Sequence, residues 1–276
     1  MGQTSTPKAR MARWMVIFLH LFLLTIISSS SYAQTKTFAT TATVVTNTVV
    51  DKDNATRDDE TYASVRSNGG TLGIGKVTGE LRLTFDQDVP ANRTTFIRIG
   101  YDTGVLNSLL GGNLGSSLAG LVGSLVLGNH YFTVGARSAD GTNVISGSSN
   151  GSFSNTNIKL VRDVQGNYYL AVAPNFAYRS VFIRDVTNAF LLGGPNEIRV
   201  FNAFHFSGTG NCDPPIATDF EGTGATLDVL GVTGAGVTDI QNAIDGNPAS
   251  FSKASLGVIA LAGTISQNVY YSTPSR

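Results

Sequence analysis

Acidic side chains crowd one short stretch of the chain, and oxygen ligands at such density can hold Ca²⁺, which takes roughly six to eight of them. The candidate metal ligands in this stretch are Asp51, Asp53, Asp58, Asp59 and Glu60. A sparser pair, Asp245 and Asn247, follows near the end of the chain. Neither group has EF-hand spacing, so solvated turns are the alternative. A structural calcium ion is the one cofactor that the sequence indicates.

Tyrosines are the candidate platforms for sugar binding, which needs an aromatic ring beside hydrogen-bonding groups. The candidate ligand-binding residues are Tyr101, Tyr131, Tyr168, Tyr169 and Arg179. Because neighbours in a strand point to opposite faces, we expect one of Tyr168 and Tyr169 in the core and the other exposed. Ordinary packing is the alternative for each tyrosine.

Catalytic constellations are sparse. Only His130 and His205 follow residue 33, and the chain has no Gly-x-Ser-x-Gly elbow, metalloprotease histidine pair or phosphate-binding loop. A glycosidase needs two carboxylates, but nothing selects a pair among the 19 acidic residues. We therefore predict a protein that is not an enzyme.

The N-terminus predicts export. Lys8, Arg10 and Arg13 precede an apolar run over 14–27, and a small-x-small cleavage pattern ends at Ala33. This is the pattern of a signal peptide over 1–33. The run is shorter than the roughly 20 residues of a membrane helix, although an uncleaved anchor is the alternative. We expect a secreted or outer cell-surface protein without a membrane span after cleavage.

Charge and cysteine content exclude several classes. The predicted signal peptide holds three of the 19 basic residues and none of the 19 acidic ones, so the mature chain is net negative. Nucleic-acid binding needs clustered lysine and arginine and is not expected. The single cysteine, Cys212, cannot form an internal disulfide, so stability must come from an ordinary core.

The remaining pattern predicts an all-β fold. Segments such as 80–85 and 94–100 alternate polar and apolar side chains, and Gly, Asn and Pro separate them. We predict an antiparallel, jelly-roll-like β-sandwich over 34–206. Leucines at helical spacing in the glycine-rich segment 105–128 predict one helical or ordered insertion, with a transmembrane helix as the alternative.

A linker and a second module follow. Residues 207–225 are rich in Gly, Pro and small polar residues and predict a linker, and 226–276 predict an incomplete second β module. Asn242-Ala243 and the later Phe251 match Asn54-Ala55 and Tyr62, with one residue of slippage. Residues 263–269 loosely match 79–85. This internal repeat predicts that the chain is part of a longer repetitive protein.

The segment 242–251, which reads NAIDGNPASF, resembles the Ala-x-Asp-Gly-Asn signature of galactose-binding-like jelly rolls. These include discoidin domains and several carbohydrate-binding modules, and the layout resembles repeated modules in secreted or surface proteins of Gram-negative bacteria. The resemblance implies a sandwich in which the Asp-Gly-Asn turn often lies beside calcium and the following aromatic anchors the core. Asp58-Asp59 replaces Asp-Gly-Asn in the first copy, so the resemblance is poorer there.

These observations predict an adhesin-like, non-catalytic binding or spacer module of a larger surface or secreted protein. Its expected partners are a glycan or a surface protein, and further modules of the same chain. Two alternatives remain open. One is an accessory carbohydrate-binding region of a secreted carbohydrate-active enzyme, and the other is a purely structural repeat.

Overall fold

The computed structural model describes residues 34–46, 48–68, 77–101, 103–110, 130–151, 153, 157–187, 197–208, 214–226, 236–255 and 260–272. The predicted signal peptide and Cys212 lie outside these residues. Most of the described chain is β-strand, as the alternating segments predict.

Sixteen strands and four helical segments are described. The strands are β1 (Thr35–Phe38), β2 (Thr41–Val44), β3 (Val49–Val50), β4 (Ala63–Arg66), β5 (Gly79–Val89), β6 (Thr95–Gly100), β7 (His130–Arg137), β8 (Asn143–Ser148), β9 (Ile158–Arg162), β10 (Tyr168–Val172), β11 (Tyr178–Thr187), β12 (Glu197–Ser207), β13 (Ala217–Thr226), β14 (Gly236–Thr238), β15 (Lys253–Ser255) and β16 (Ala260–Tyr270). The helical segments are α1 (Thr103–Leu110) and the 3-10 helices Lys52–Thr56, Ser149–Gly151 and Ile240–Ala243.

Two antiparallel sheets form the body of the molecule. Sheet A has nine strands in the order β16-β13-β9-β10-β6-β12-β4-β3, with β1 paired to β12. Sheet B has five strands in the order β2-β5-β11-β7-β8, and β14 and β15 form a separate two-stranded ribbon. One buried apolar cluster contains side chains from both sheets. The predicted all-β antiparallel sandwich is therefore confirmed.

Alternation along the strands explains how the core forms. In β5, Leu81, Leu83 and Phe85 are buried, whereas Arg82 and Thr84 between them are half-buried on the opposite face. Period-two patterning of this kind places one face of a strand against the other sheet. A tight turn at Gly166-Asn167 joins β9 and β10, where the Gly166 amide donates to the Asp163 carbonyl.

The leucine-rich insertion begins as a helix. Leu106, Leu109 and Leu110 of α1 are buried in the sandwich core, as the helical spacing predicts. Residues 111–129 lie outside the described part of the chain, so the rest of this prediction stays untested. Among the described residues, no helix is both long and apolar enough to cross a membrane.

The linker prediction needs a correction. Residues 217–225 belong to β13, which pairs along its length with β16 and joins sheet A through Thr218 opposite Arg162 of β9. Small residues and threonine looked like a flexible connection, but they are compatible with a paired strand once β16 supplies the ladder. The second segment is thus attached to the first through hydrogen-bonded strands.

The internal repeat appears as a repeated set of strand pairings. In the pairing of β2 with β5, Thr41 faces Thr84 and Ala42 faces Leu83. In the second segment, β16 corresponds to β5 with an offset of 184 residues, so that Asn268 corresponds to Thr84 and Gln267 to Leu83. Their partners on β13 are Asp219 and Phe220. The short pairs match as well: Val50 faces Ser64 between β3 and β4, and Thr238 faces Lys253 between β14 and β15. We call 39–89 and 217–272 the first and second copies.

The copies differ in what borders them. In the first copy, β5 also pairs with β11, and β4 also pairs with β12. In the second copy, the described residues give β16 only the partner β13 and β15 only the partner β14. Gln267, which replaces the core residue Leu83, donates to the Ile240 carbonyl and to the Thr218 hydroxyl.

Candidate functional site

The acidic stretch forms the first 3-10 helix and the loop after it. Asp51 has a left-handed backbone (φ 54°) and precedes this helix, and its carbonyl accepts the Asn54 amide at 3.0 Å. The Asn54 Nδ2 then donates to the Tyr62 carbonyl at 3.2 Å. These two hydrogen bonds close the loop.

The five carboxylates of this loop do not converge. Asp53 pairs with Lys52 at 2.5 Å, and Asp59 accepts the Thr61 amide at 2.8 Å. Both Oε atoms of Glu60 accept hydrogen bonds from Arg98, at 3.0 and 2.9 Å. Hydrogen bonds from Thr61 hold the pKa of Asp59 below its ordinary value.

The second candidate metal loop is closed in the same way. Asp245 accepts the Asn247 amide at 2.8 Å and the Ser250 hydroxyl at 2.7 Å, and these bonds lower its pKa. The Asn247 Oδ1 accepts the Ala249 amide at 3.0 Å. In the described part of the chain, no three acidic, histidine or cysteine groups come together around a metal position. Calcium binding stays a prediction without a ligand set.

The five candidate ligand-binding residues lie in different places. Tyr168 is in the core with 8% of its surface exposed, and Tyr101 packs edge-on against Phe132. Tyr169 is on the outer face of sheet A, so the two tyrosines point to opposite faces as expected, but Tyr169 is half-buried rather than exposed because it packs against a second apolar cluster. Tyr131 alternates with the buried Phe132 and so lies on the outer face of sheet B. The Arg179 Nε donates to Asp88 at 2.7 Å.

Tyr169 belongs to an aromatic cluster that the sequence did not single out. The Phe96 and Phe204 rings stack with centroids 5.7 Å apart, and Tyr169 meets Phe204 edge-on at 6.0 Å. The Phe206 ring meets Phe204 at 5.5 Å, and the Lys36 ammonium lies 4.5 Å from the Phe204 centroid. Three neighbouring strands, β6, β10 and β12, thus direct aromatic side chains away from the sandwich core.

A cleft of about 220 Å³ opens beside this cluster. Its lining residues are Lys36, Phe96, Asp163, Val164, Gln165, Tyr169, Phe204, Phe206, Pro215, Ile216 and Ala217. The outer face of sheet A forms one wall, and the segment entering β13 forms the other. We call this the outer cleft.

Asp163 is the acidic group of the outer cleft, and it is buried and fully engaged. It accepts the Asn167 backbone amide at 2.8 Å, the Asn167 side-chain amide at 2.9 Å and the Tyr169 hydroxyl at 3.0 Å. Burial, followed by the neighbouring Asp163 charge, raises the pKa of Tyr169 well above its ordinary value. Tyr169 is therefore a neutral hydrogen-bond donor held in one orientation, which suits a binding wall.

The sequence contained a signal for this cluster. In β12, Phe204 and Phe206 point outward while Ala203 and His205 point inward, so both faces of the strand carry bulky or apolar side chains. When consecutive residues of a strand are apolar, so that both of its faces carry apolar side chains, other parts of the protein are expected to pack against both faces. Lys36 and Asp163 carried no comparable signal, because their proximity depends on strand pairing.

No protein-family profile, curated protein or solved structure matches this chain.

Proposed function

We propose that the chain is an exported, non-catalytic module of a larger adhesin-like protein, secreted or held at the outer cell surface. The repeated set of pairings carries this proposal. Two segments of different sequence reproduce the same register, the same left-handed aspartate before a 3-10 helix and the same asparagine-to-carbonyl bond. Repetition of one supersecondary unit is typical of proteins built as arrays.

Strand geometry explains why such a unit needs neighbours. A strand with an unpaired edge presents free amides and carbonyls, which favour pairing with another strand. β11 and β12 cover the corresponding edges of the first copy. The role of β16 and β15 in a longer protein is then to pair with the equivalents of β11 and β12 in the next module.

Export is tested by the mature N-terminus. If the protein is recovered from the culture medium or surface fraction of its source cells, N-terminal sequencing should give Gln34 as the first residue. A surface protein that still begins at Met1 would support the uncleaved anchor instead. Recovery only from the cytoplasm would contradict the proposal.

The outer cleft favours glycan binding as a second role. It combines half-buried aromatic rings at Tyr169 and Phe206 with polar groups from Lys36 and Gln165. Amphipathic aromatic rings beside polar groups suit a ligand that has both apolar and hydroxyl-bearing faces. The cleft volume of about 220 Å³ suits a single sugar unit or the end of a chain.

A glycan array probed with the full chain tests this second role. We expect selective binding that Phe206→Ala abolishes, because the Phe206 ring lines the cleft. Phe176→Ala is the matched control, since Phe176 is 68% exposed and does not line the cleft. Absence of binding, or equal loss in both variants, would leave the spacer role and exclude the cleft as the site.

A further inference from the structure

The outer face of sheet B contains a buried aromatic ring beneath arginines. Phe182 alternates with the core residues Val181 and Ile183, so its side chain points away from the core, yet it is only 2% exposed. It lies over Gly135 of the neighbouring strand, where an added Cβ would come within 2.7 Å of the ring. The Arg137 and Arg184 guanidinium carbons lie 4.5 and 5.9 Å from the ring centroid.

One buried carboxylate fixes these two arginines. Glu80 is 2% exposed, and its Oε1 lies 2.9 Å from a terminal nitrogen of Arg137. Its Oε2 accepts the Arg184 Nε at 2.7 Å. Because the Arg184 side chain remains 40% exposed, part of its guanidinium still faces solvent.

Within the described part of the chain, a third arginine, Arg82, forms no ion pair with an acidic residue. Arg82 of β5 lies directly opposite Phe182 of β11 and opposite Thr43 of β2, and its buried Nε has no hydrogen-bond partner among the described residues. Three guanidinium groups and one carboxylate leave this patch with two positive charges. Further along β5, Asp86 accepts the Thr40 hydroxyl and Asp88 pairs with Arg179. Neither acid is engaged with Arg82.

Small hydroxyl side chains surround the patch. Strand pairing places Thr43, Thr84 and Ser180 around Arg82 and Phe182, and Thr133 beside Arg184. Tyr131 lies two positions before Thr133 on β7 and therefore on the same face. The result is a sheet surface with guanidinium groups, hydroxyls and one tyrosine at its edge. We call it the arginine face.

We propose that the arginine face binds a carboxylated or sulfated polysaccharide. A guanidinium group presents paired donors that match the oxygens of a carboxylate or sulfate. Arg82 supplies the uncompensated charge, the ordered Arg184 supplies a second contact, and Tyr131 supplies a ring for a sugar face. A protein partner would instead favour exposed aromatic anchors at the centre, where Phe182 is buried. All these residues belong to the first sandwich, so the proposal does not depend on the array or on the outer cleft.

Titration of the full chain with charged oligosaccharides tests this proposal. The probes are a chondroitin sulfate hexasaccharide and a hexagalacturonate, with maltohexaose as the uncharged comparison, at low and at physiological salt. We expect binding to at least one charged probe, weaker binding as salt increases, and none to maltohexaose. Arg82→Gln should weaken binding about tenfold, as expected for loss of one charge-assisted contact.

Arg57→Gln is the matched control. It removes the same charge from an exposed arginine that follows the first 3-10 helix and is not one of the residues of the arginine face, and it should leave affinity unchanged. Arg82→Gln leaves the Glu80 ion pairs in place, so the variant should fold. The proposal is overturned by absence of binding at low salt or by equal loss in both variants. It is also overturned if a polyglutamate peptide or duplex DNA binds as tightly as the charged oligosaccharides.

Discussion

Asn54 and Asn242 make the same hydrogen bond in the two copies. Each Nδ2 donates to the carbonyl of an aromatic residue, Tyr62 at 3.2 Å and Phe251 at 3.1 Å. Each asparagine also follows, by three positions, an aspartate with left-handed backbone, at φ 54° for Asp51 and 51° for Asp239. The loop lengths differ by one residue, and the bond is kept. This bond therefore helps to set the geometry of both loops.

Asn54→Asp should destabilise the protein. The substitution keeps the size of the side chain but replaces the donor with a carboxylate oxygen facing the Tyr62 carbonyl. We expect the free energy of unfolding to fall by about 1–2 kcal/mol in urea denaturation. Asn175→Asp is the control, because the Asn175 Oδ1 accepts the Asn157 side-chain amide and an aspartate oxygen can do the same. An equal loss in both variants would show that added charge, rather than the loop bond, is responsible.

Gly135→Ala should also destabilise the protein, for a steric reason. An added Cβ would lie 2.3 Å from the Ile145 carbonyl oxygen and 2.7 Å from the Phe182 ring, and the backbone carbonyl is held in the β7–β8 ladder. Overpacking of this kind costs about 1–3 kcal/mol. Gly147→Ala on the neighbouring strand should cost less, because its nearest contact is the flexible end of Ile158 at 3.1 Å. Equal unfolding midpoints for the two variants would contradict this view of the Phe182 site.

Glu80→Gln tests the buried ion pairs of sheet B. Without the carboxylate, Arg137 and Arg184 lose their shared partner over Phe182. Removing one member of a buried pair typically costs about 3–5 kcal/mol, and we expect about 2–3 because Arg184 is 40% exposed. Glu221→Gln is the control, since its pair with Lys159 is exposed and should contribute less than about 1 kcal/mol. Similar small losses in both would show that solvent screens the Glu80 pairs.

The stability of the second copy should depend on pH through Asp219. Burial raises the pKa of Asp219 above its ordinary value of 3.8, although hydrogen bonds from Asn268 and Tyr270 oppose the shift. The folded state therefore holds this proton more tightly than the unfolded state. As pH rises from about 4 toward the raised pKa, the contribution of Asp219 to the free energy of unfolding must fall.

Asp219→Asn isolates this effect. The amide cannot ionise, so the wild type should lose stability relative to the variant as pH increases from about 4, and the difference should then level off. Thermal unfolding at several pH values measures the difference, because the other carboxylates are common to both proteins. A difference that is constant with pH, or that shifts in favour of the wild type, would contradict the raised pKa.

Local sequence patterns were enough to predict individual strands and loops. The outer cleft and the Glu80 ion pairs, in contrast, depend on which strands pair with one another. Alternation at 80–85 predicted β5 and its buried face, and the match between Asn54 and Asn242 predicted the shared loop. The outer cleft was not predicted, since Lys36 and Asp163 line the same cleft only because β1, β12, β6, β10 and β9 pair in that order. The same applies to Glu80 and Arg137, which lie on strands separated by β11.

The predicted linker shows that local composition can also hide a strand. Composition suggested a flexible segment at 207–225, but residues 217–225 gain order from a partner strand about 45 residues later. Small residues have only a weak local preference against strand structure, and the hydrogen bonds of a long strand pairing outweigh that preference. Phe182 is a similar case, because arginines from two strands bury an outward-facing ring.

The most direct test of the proposed function is the size and location of the native protein. Intact source cells would be treated briefly with protease, and peptides from 34–276 would be sought by mass spectrometry in the released material and the culture medium. An antibody against the same residues would give the mass of the intact polypeptide. We predict surface-released or secreted peptides and a polypeptide larger than 29.0 kDa that carries further copies of the repeated unit. Peptides confined to the cytoplasm, or a native polypeptide without further copies, would contradict the account.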